Sequence, residues 1–207
     1  MNESMDDDQP TLRPETLKAL QEFLQEQELR EEKGEFISEN WQLSQFWYDD
    51  STTFSLSSSA VSKCSDGGKI ALISCPTLYP AVKSQIRENE RDLTVTLFEF
   101  DKRFSKYGTD FIHYDYNSPI NLDFSCKNAF DIIIIDPPFL SEECLTKVVE
   151  TVNFIKKTNS KIILCTGGVM EDLARKLLGV KKCSFEPKHK NNLANEFICL
   201  TNFGELS

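Results

Sequence analysis

Two hydrophobic periods divide the chain. Leu17, Leu20, Phe23, Leu24 and Leu29 recur at helical spacing among Glu and Gln, which predicts an amphipathic helix from about Pro14 to Lys33, stopped by Gly34. From Lys69 onward the apolar positions come in short blocks instead. Lys69–Cys75, Thr94–Phe100, Phe130–Ile135 and Lys161–Cys165 read as strands. Tyr79–Asn89, Ser141–Ile155 and Val169–Leu178 read as helices, Phe104–Tyr107 as a short helix, and Phe111–Tyr114 as a short apolar segment. Ile70–Ile73 and Ile132–Ile135 lack any polar alternation, as strands buried on both faces of a parallel sheet do. Strand alternating with helix predicts an α/β fold with a mostly parallel, doubly covered sheet. Lys182–Phe185 and Asn195–Phe203 follow without a helix between them, so the sheet is expected to end in a C-terminal antiparallel hairpin.

The region between the two periods is less regular. Trp41, Phe46, Trp47 and Tyr48 place four aromatic residues in eight positions without a helical or strand period. Residues 51–65 are rich in Ser and Thr, carry Phe54, Leu56, Ala60 and Val61, and read as a helix closed by Asp66-Gly67-Gly68. The expected organisation is a disordered acidic tail over 1–13, an N-terminal helical and aromatic extension over 14–66, and a catalytic domain over 67–207.

Composition narrows the class. A chain of 207 residues with 40% hydrophobic content fits one globular domain plus an extension, and no apolar run approaches the roughly 20 residues of a membrane helix. The acidic, polar first residues are the reverse of a secretory signal, so a cytoplasmic location is expected; a monomer is the expected state. Seven scattered cysteines form no Cys-x-x-Cys pair and there are only two histidines, so buried structural thiols and no metal site are expected. The net charge of −10 has one source: residues 1–50 hold 14 acidic and 4 basic side chains, the remainder 19 of each. That balance disfavours nucleic acid, whose phosphates normally draw a basic face.

The strongest chemical signal is Phe130–Ile135 running directly into Asp136-Pro137-Pro138-Phe139. In an open α/β sheet, ligands bind beyond the C-terminal ends of the strands, where this turn must lie. Two prolines stiffen the backbone and bias Asp136 toward an extended conformation. Methyl transfer to nitrogen needs a neutral lone pair aligned with the breaking bond, and two acceptors on the amine hydrogens provide that alignment. Asp136 and the Pro137 carbonyl suit this role, and Phe139 suits a wall against the amine or its cationic product. The competing reading is a rigid strand-ending turn with no chemistry.

Cofactor residues are less sharply marked. The Gly-x-Gly loop usual after the first strand of nucleotide-binding domains is missing, and Ser74-Cys75-Pro76 stands there instead. Backbone groups of Ser74, Cys75 and Pro76 are candidate contacts for a sulfonium amino acid, which carries no pyrophosphate. The second strand offers Glu99 and Asp101 for the ribose hydroxyls of a nucleoside, with Asp101 at the tip preferred. Asp115 ends the next segment and suits an adenine amino group. For Trp41, Phe46, Trp47 and Tyr48, core packing competes with a lid or amine-pocket wall. Lys188-His189-Lys190 reads as a solvated loop or a partner contact.

Glu39-Asn40-Trp41-Gln42-Leu43-Ser44-Gln45-Phe46-Trp47-Tyr48, Phe98-Glu99-Phe100-Asp101-Lys102-Arg103-Phe104, Asp136-Pro137-Pro138-Phe139-Leu140-Ser141-Glu142-Glu143-Cys144-Leu145 and Asn192-Leu193-Ala194-Asn195-Glu196-Phe197 carry a resemblance. Together they resemble the eukaryotic elongation factor 1-alpha lysine methyltransferase 1 family, earlier described as adenine-specific DNA methyltransferase-like proteins. The resemblance implies a Rossmann-like, seven-strand class I methyltransferase sheet, S-adenosylmethionine as methyl donor, and a lysine of elongation factor 1-alpha as substrate. It supports Asp136–Phe139 as the amine turn and favours a functional role for the Trp41–Tyr48 block, Trp41, Phe46 and Trp47 included. Many amine methyltransferases have Tyr at the position of Phe139; stacking survives that change and a hydroxyl contact does not. Adenine methylation in DNA or RNA and a non-catalytic binding module are the alternative readings.

Overall fold

The computed structural model describes Arg13, Thr16, Lys18, Glu22 and residues 37–191 and 196–206. Apart from Arg13, the tail expected over 1–13 lies outside the described residues, as does most of the helix expected over 14–33. Thr16, Lys18 and Glu22 are helical, and Lys18 and Glu22 pair one turn apart at 3.9 Å, an exposed contact of little energetic weight. The chain divides into two compact units, Met1–Ser38 and Glu39–Ser207. The aromatic block and the Ser-rich helix fall in the same unit as the sheet.

That sheet has seven strands: β1 (Lys69–Ile73), β2 (Thr94–Glu99), β3 (Phe111–His113), β4 (Phe130–Ile135), β5 (Lys156–Gly167), β6 (Lys181–Lys182) and β7 (Phe197–Thr201). Their spatial order is β3-β2-β1-β4-β5-β7-β6. The first five run parallel, and β7 is antiparallel to both of its neighbours. This strand order, mostly parallel with one antiparallel hairpin, is that of a class I methyltransferase sheet. The terminal hairpin is shorter than expected. Cys183 N–H still donates to the Cys199 carbonyl at 3.0 Å, but the N–H and hydroxyl of Ser184 both turn to the Glu205 carboxylate, at 3.0 and 2.6 Å, and the ladder stops.

Among the described residues, four α-helices cover the sheet: α1 (Asp50–Lys63), α2 (Leu78–Glu88), α3 (Glu142–Ile155) and α4 (Glu171–Leu178). Side chains alternate across a strand, so Ala71, Ile73, Ile133 and Ile135 share one face and join Val148, Val152 and Ala174 of α3 and α4 in a single core cluster. Ile70, Leu72, Ile132 and Ile134 point the opposite way and are equally buried, on the side where α1 and α2 pack together. Both faces are dry, which is why these strands carry no polar alternation. Among the described residues no helix is long and apolar enough to cross a membrane.

Helix α1 forms despite its serines because its ends are well anchored. Asp49 accepts the Thr52 N–H at 2.7 Å as N-cap. At the other end Arg91 donates to the carbonyls of Val61 and Cys64, at 3.2 and 2.6 Å, and to the Asp66 carboxylate at 2.6 Å. The buried Ser59 hydroxyl is satisfied by the Leu206 carbonyl at 2.7 Å.

The strand order fixes where a ligand can sit. Connections from β1 run outward toward β2 and β3, while β4 and β5 build the other half, so the order reverses between β1 and β4. Crevices form outside the carboxyl ends of the strands at such a reversal. Ser74 to Thr77 leave β1 there and Asp136 to Ser141 leave β4 beside them. Asp136 N–H donates to the Ile73 carbonyl at 3.0 Å, binding the two loops together.

Candidate active site

Ser74 takes the turn at the end of β1 with φ of 56°, and its N–H donates to the Phe98 carbonyl at 2.9 Å. This is the left-handed conformation that a glycine would adopt freely, held here by a residue with a side chain at a cost on the order of 1 kcal/mol. The missing glycine has thus not removed the tight turn. Beyond it the buried Cys75 thiol donates to the Ile134 carbonyl at 3.7 Å, and burial together with the nearby Asp136 charge keeps that thiol protonated.

Two adjoining cavities open over the reversal. The first, of about 200 Å³, is lined by Cys75, Pro76, Asp136 and Pro137 from the loops and by Phe46, Trp47, His189 and Phe197 from outside the sheet. The second, of about 310 Å³, is lined by Glu99, Phe100, Asp115, Tyr116, Asn117 and Phe139. Ser44, Gln45, Ser74 and Pro138 line both, so they are two halves of one cleft.

Carboxylates dominate its electrostatics. Burial pushes the Asp136 carboxyl up to about 7; a hydrogen bond from Tyr48 pulls it down, and the Glu99 charge pushes it further up. Burial also raises Glu99, while bonds from the Asp101 N–H, the Gln45 amide and the Phe100 N–H favour its ionised form. Asp101 is pushed up by burial too, yet the bonds and charge of Arg103, with Gln45, outweigh this and hold it below the usual range. Among the described residues no group of three or more His, Cys, Asp or Glu side chains is arranged to hold a metal.

The segment from Glu39 to Tyr48 connects these carboxylates. A short 3-10 turn, Trp41–Leu43, is capped by Asn40, whose side chain accepts the Gln42 N–H at 3.1 Å, and Ser44 leaves it in the left-handed region. Gln45 is then directed inward with its amide fully used. Nε2 donates to Glu99 at 3.3 Å and Asp101 at 3.2 Å, while Oε1 accepts from Asn40 N–H at 3.2 Å and Arg103 at 3.4 Å. Three residues on, the Tyr48 hydroxyl donates to Asp136 Oδ2 at 2.7 Å. Tyr48 also pairs with His189 as an antiparallel bridge, flanked by Asp49 N–H to Lys188 O at 2.9 Å and Lys190 N–H to Trp47 O at 2.8 Å. Glu39 closes the arrangement, accepting from Trp47 N–H, Trp41 Nε1 and Asn191 Nδ2 at 2.7, 3.1 and 2.7 Å.

The structure therefore brings together most of the residues expected from sequence, and redistributes some. Ser74 and Pro138 sit centrally, Cys75, Pro76, Phe46, Trp47, Asp136 and Pro137 line the first cavity, and Glu99 and Asp115 line the second. Asp101, the preferred ribose acceptor, is turned instead into Arg103 and Gln45, and Glu99 faces the cleft. Phe139, expected against the amine, lies in the half away from Asp136, edge-on to Tyr116 with centroids 5.9 Å apart. Trp41 is 66% exposed and belongs to neither lining. Tyr48, expected as core, lid or wall, instead bonds Asp136, while Gln45 inside the same block and His189 are site residues to which the sequence assigns no role. His189 had no signal, since nothing in a Lys-His-Lys loop announces a backbone pairing with residue 48.

Residues 39–205 match the family model described as "Probable N6-adenine methyltransferase". EEF1A lysine methyltransferase 1 of Homo sapiens is 47% identical, over 98% of this chain and 96% of that protein, and its Mus musculus counterpart is 48% identical over the same shares. Among solved structures, a TehB-like SAM-dependent methyltransferase from Corynebacterium glutamicum is similar at a TM-score of 0.49 and 12% identity, covering 89% of this chain and 97% of that one. Strand order, rather than that likeness, carries the fold assignment. With a family match from Glu39 to Glu205 and relatives sharing nearly half of its residues end to end, the chain belongs to the EEF1A lysine methyltransferase 1 family of methyltransferases.

Proposed function

We propose that the chain methylates a lysine side-chain amine of elongation factor 1-alpha with S-adenosylmethionine as donor. The observation that carries the chemistry is the half-buried Asp136 carboxylate, bonded by Tyr48 beneath the cleft at the end of β4. The residues fit a sulfonium nucleoside. Glu99 offers a carboxylate to the ribose hydroxyls and Asp115 an acceptor to the adenine amino group, both in the larger cavity. Glu99 and Asp136 repel one another across the cleft, so a cation bound between them is favoured. When bound, S-adenosylmethionine supplies an electrophilic methyl group on a positively charged sulfur.

Asp136 and the Pro137 carbonyl then accept the hydrogens of the substrate amine and aim its lone pair. The lysine ammonium, with an ordinary pKa of about 10.4, must first lose a proton. A carboxyl poised at about 7 is a better acceptor for it than an ordinary one. Phe46 and Trp47 wall the amine half against water. Trp41, exposed beside it, contacts the surface of the protein substrate in this reading.

The protein substrate rests on the names of the relatives and on charge. The family model's description favours an adenine amine instead, but residues 51–207 carry 19 acidic against 19 basic side chains and the acidic excess precedes them. A phosphate backbone gains little from such a surface. Incubation of the protein with labelled S-adenosylmethionine and a cell extract distinguishes the readings. Label removed by protease and retained after nuclease is expected; the reverse pattern sinks the lysine reading. Asp136→Ala should abolish transfer while leaving cofactor affinity within a few fold, and loss of both together contradicts the role given to Asp136.

A further inference from the structure

We infer that Tyr48 is a positioning residue for methyl transfer, fixing the Asp136 carboxylate so that one oxygen stays committed to the protein while the other is presented to the substrate amine. This rests on the amine-binding role of Asp136 proposed above and assigns the group that makes the role possible.

A carboxylate on a short side chain has two equivalent oxygens and a soft terminal torsion, so a turn alone does not decide which lone pair meets the substrate. The 2.7 Å bond from Tyr48 to Oδ2 removes that freedom. Tyr48 is itself enclosed. It is 1% exposed, its ring lies 5.0 Å from His189, and His189 in turn meets Phe197 edge-on at 4.6 Å. The antiparallel bridge between Tyr48 and His189 fixes the backbone on which both rings stand. The hydroxyl therefore cannot swing away without the ring giving up its buried contact with His189. Nothing about this depends on cofactor contacts, because Tyr48 lines neither half of the cleft.

The same bond sets the charge of the carboxylate. Asp136 is surrounded by groups that disfavour its ionised form: burial itself and the negative Glu99. The other titratable neighbours include the Cys75 thiol, which burial keeps protonated, and His189, which burial keeps neutral. Tyr48 remains a proton donor, because burial and the Asp136 charge raise its own pKa well above the ordinary value. Its hydrogen bond is then the chief contact favouring the carboxylate that accepts amine hydrogens.

Tyr48→Phe keeps the ring against His189 and removes only the donor. With purified protein substrate, kcat should fall by roughly ten- to a hundredfold at pH 7, the loss expected for a misaligned reacting group. The cofactor Kd by calorimetry should stay within about threefold, and the acid limb of the kcat profile should move to higher pH because the ionised form has lost its donor. A fall in kcat with an unmoved acid limb means a merely structural role and overturns the proposal. Wild-type kcat and profile in Tyr48→Phe beside an inactive Asp136→Ala also overturn it, whereas an active Asp136→Ala overturns the underlying role of Asp136. Should Tyr48→Phe fail to fold, 3-fluorotyrosine placed at position 48 strengthens the donor at unchanged ring size. The acid limb should then move to lower pH, and no movement overturns the proposal.

Discussion

Gln45 reaches across 54 positions of sequence to donate from Nε2 to the Glu99 carboxylate at 3.3 Å, inside the larger half of the cleft. Glu99 is 4% exposed and burial drives it toward protonation, so the carboxylate needs such donors to remain charged. If Glu99 binds the ribose, Gln45 supports cofactor affinity without touching the reacting atoms. Gln45→Ala should raise the Kd for S-adenosylmethionine about fivefold, the equivalent of one hydrogen bond of about 1 kcal/mol. Glu99→Gln should raise it by roughly ten- to a hundredfold, since a charged acceptor is lost. Calorimetric titration decides this, and an Asp101 variant that weakens binding more than Glu99→Gln would reverse the assignment.

A second prediction concerns the opposite end of β1. A methyl group on Gly68 would stand 2.5 Å from Cys64 Sγ and 2.6 Å from the Ser65 carbonyl oxygen. The turn cannot shift to make room, because Gly68 N–H donates to that same carbonyl at 2.9 Å and its own carbonyl accepts Thr94 N–H at 3.1 Å. Gly68→Ala should therefore cost about 1–3 kcal/mol, the usual range for overpacking. Urea unfolding at constant m-value reads this directly. The turn lies at the N-terminal end of the strand, away from the cleft, so kcat per folded molecule should be unchanged; a variant as stable as the parent would show that the turn relaxes.

How far the sequence carried follows from which forces are local. Ile70–Ile73 and Ile132–Ile135 announced their strands because burial on both faces excludes polar residues from the run itself. The Asp136 turn was legible because two prolines after a buried strand constrain the backbone wherever they occur. Glu99 and Asp101 could not be ranked, since the choice depends on Arg103 and Gln45, and Gln45 arrives from a distant segment. His189 was illegible for the same reason. Its burial comes from an isolated bridge to Tyr48 and two flanking backbone bonds, and neither partner carries a strand pattern. Trp41 shows the converse: a dense aromatic block does not say which ring faces the cleft, and the capped turn it belongs to leaves Trp41 exposed.

Asp136 should also leave a signature in stability. Its folded-state pKa of about 7 lies above the ordinary aspartate value, which the unfolded chain is expected to show. Above pH 7 the carboxylate is charged in both states and the native state bears the full cost of burying it. As pH falls through 7 the native form takes up a proton while the unfolded form does not, so this cost is relieved. Below about pH 4 both forms are protonated and no cost remains. Asp136→Asn is neutral at every pH, and its amide oxygen still accepts the Tyr48 hydroxyl. The variant should therefore melt a few degrees higher than the parent at pH 8.5, a size set by roughly 2–4 °C per kcal/mol for a chain of this length. The gap should close steadily toward pH 5. Scanning calorimetry across that range tests the sign: a variant less stable than the parent at pH 8.5 would mean that the carboxylate is well solvated or paired. A gain in stability joined to a loss of methyl transfer is what a half-buried charge retained for chemistry is expected to produce.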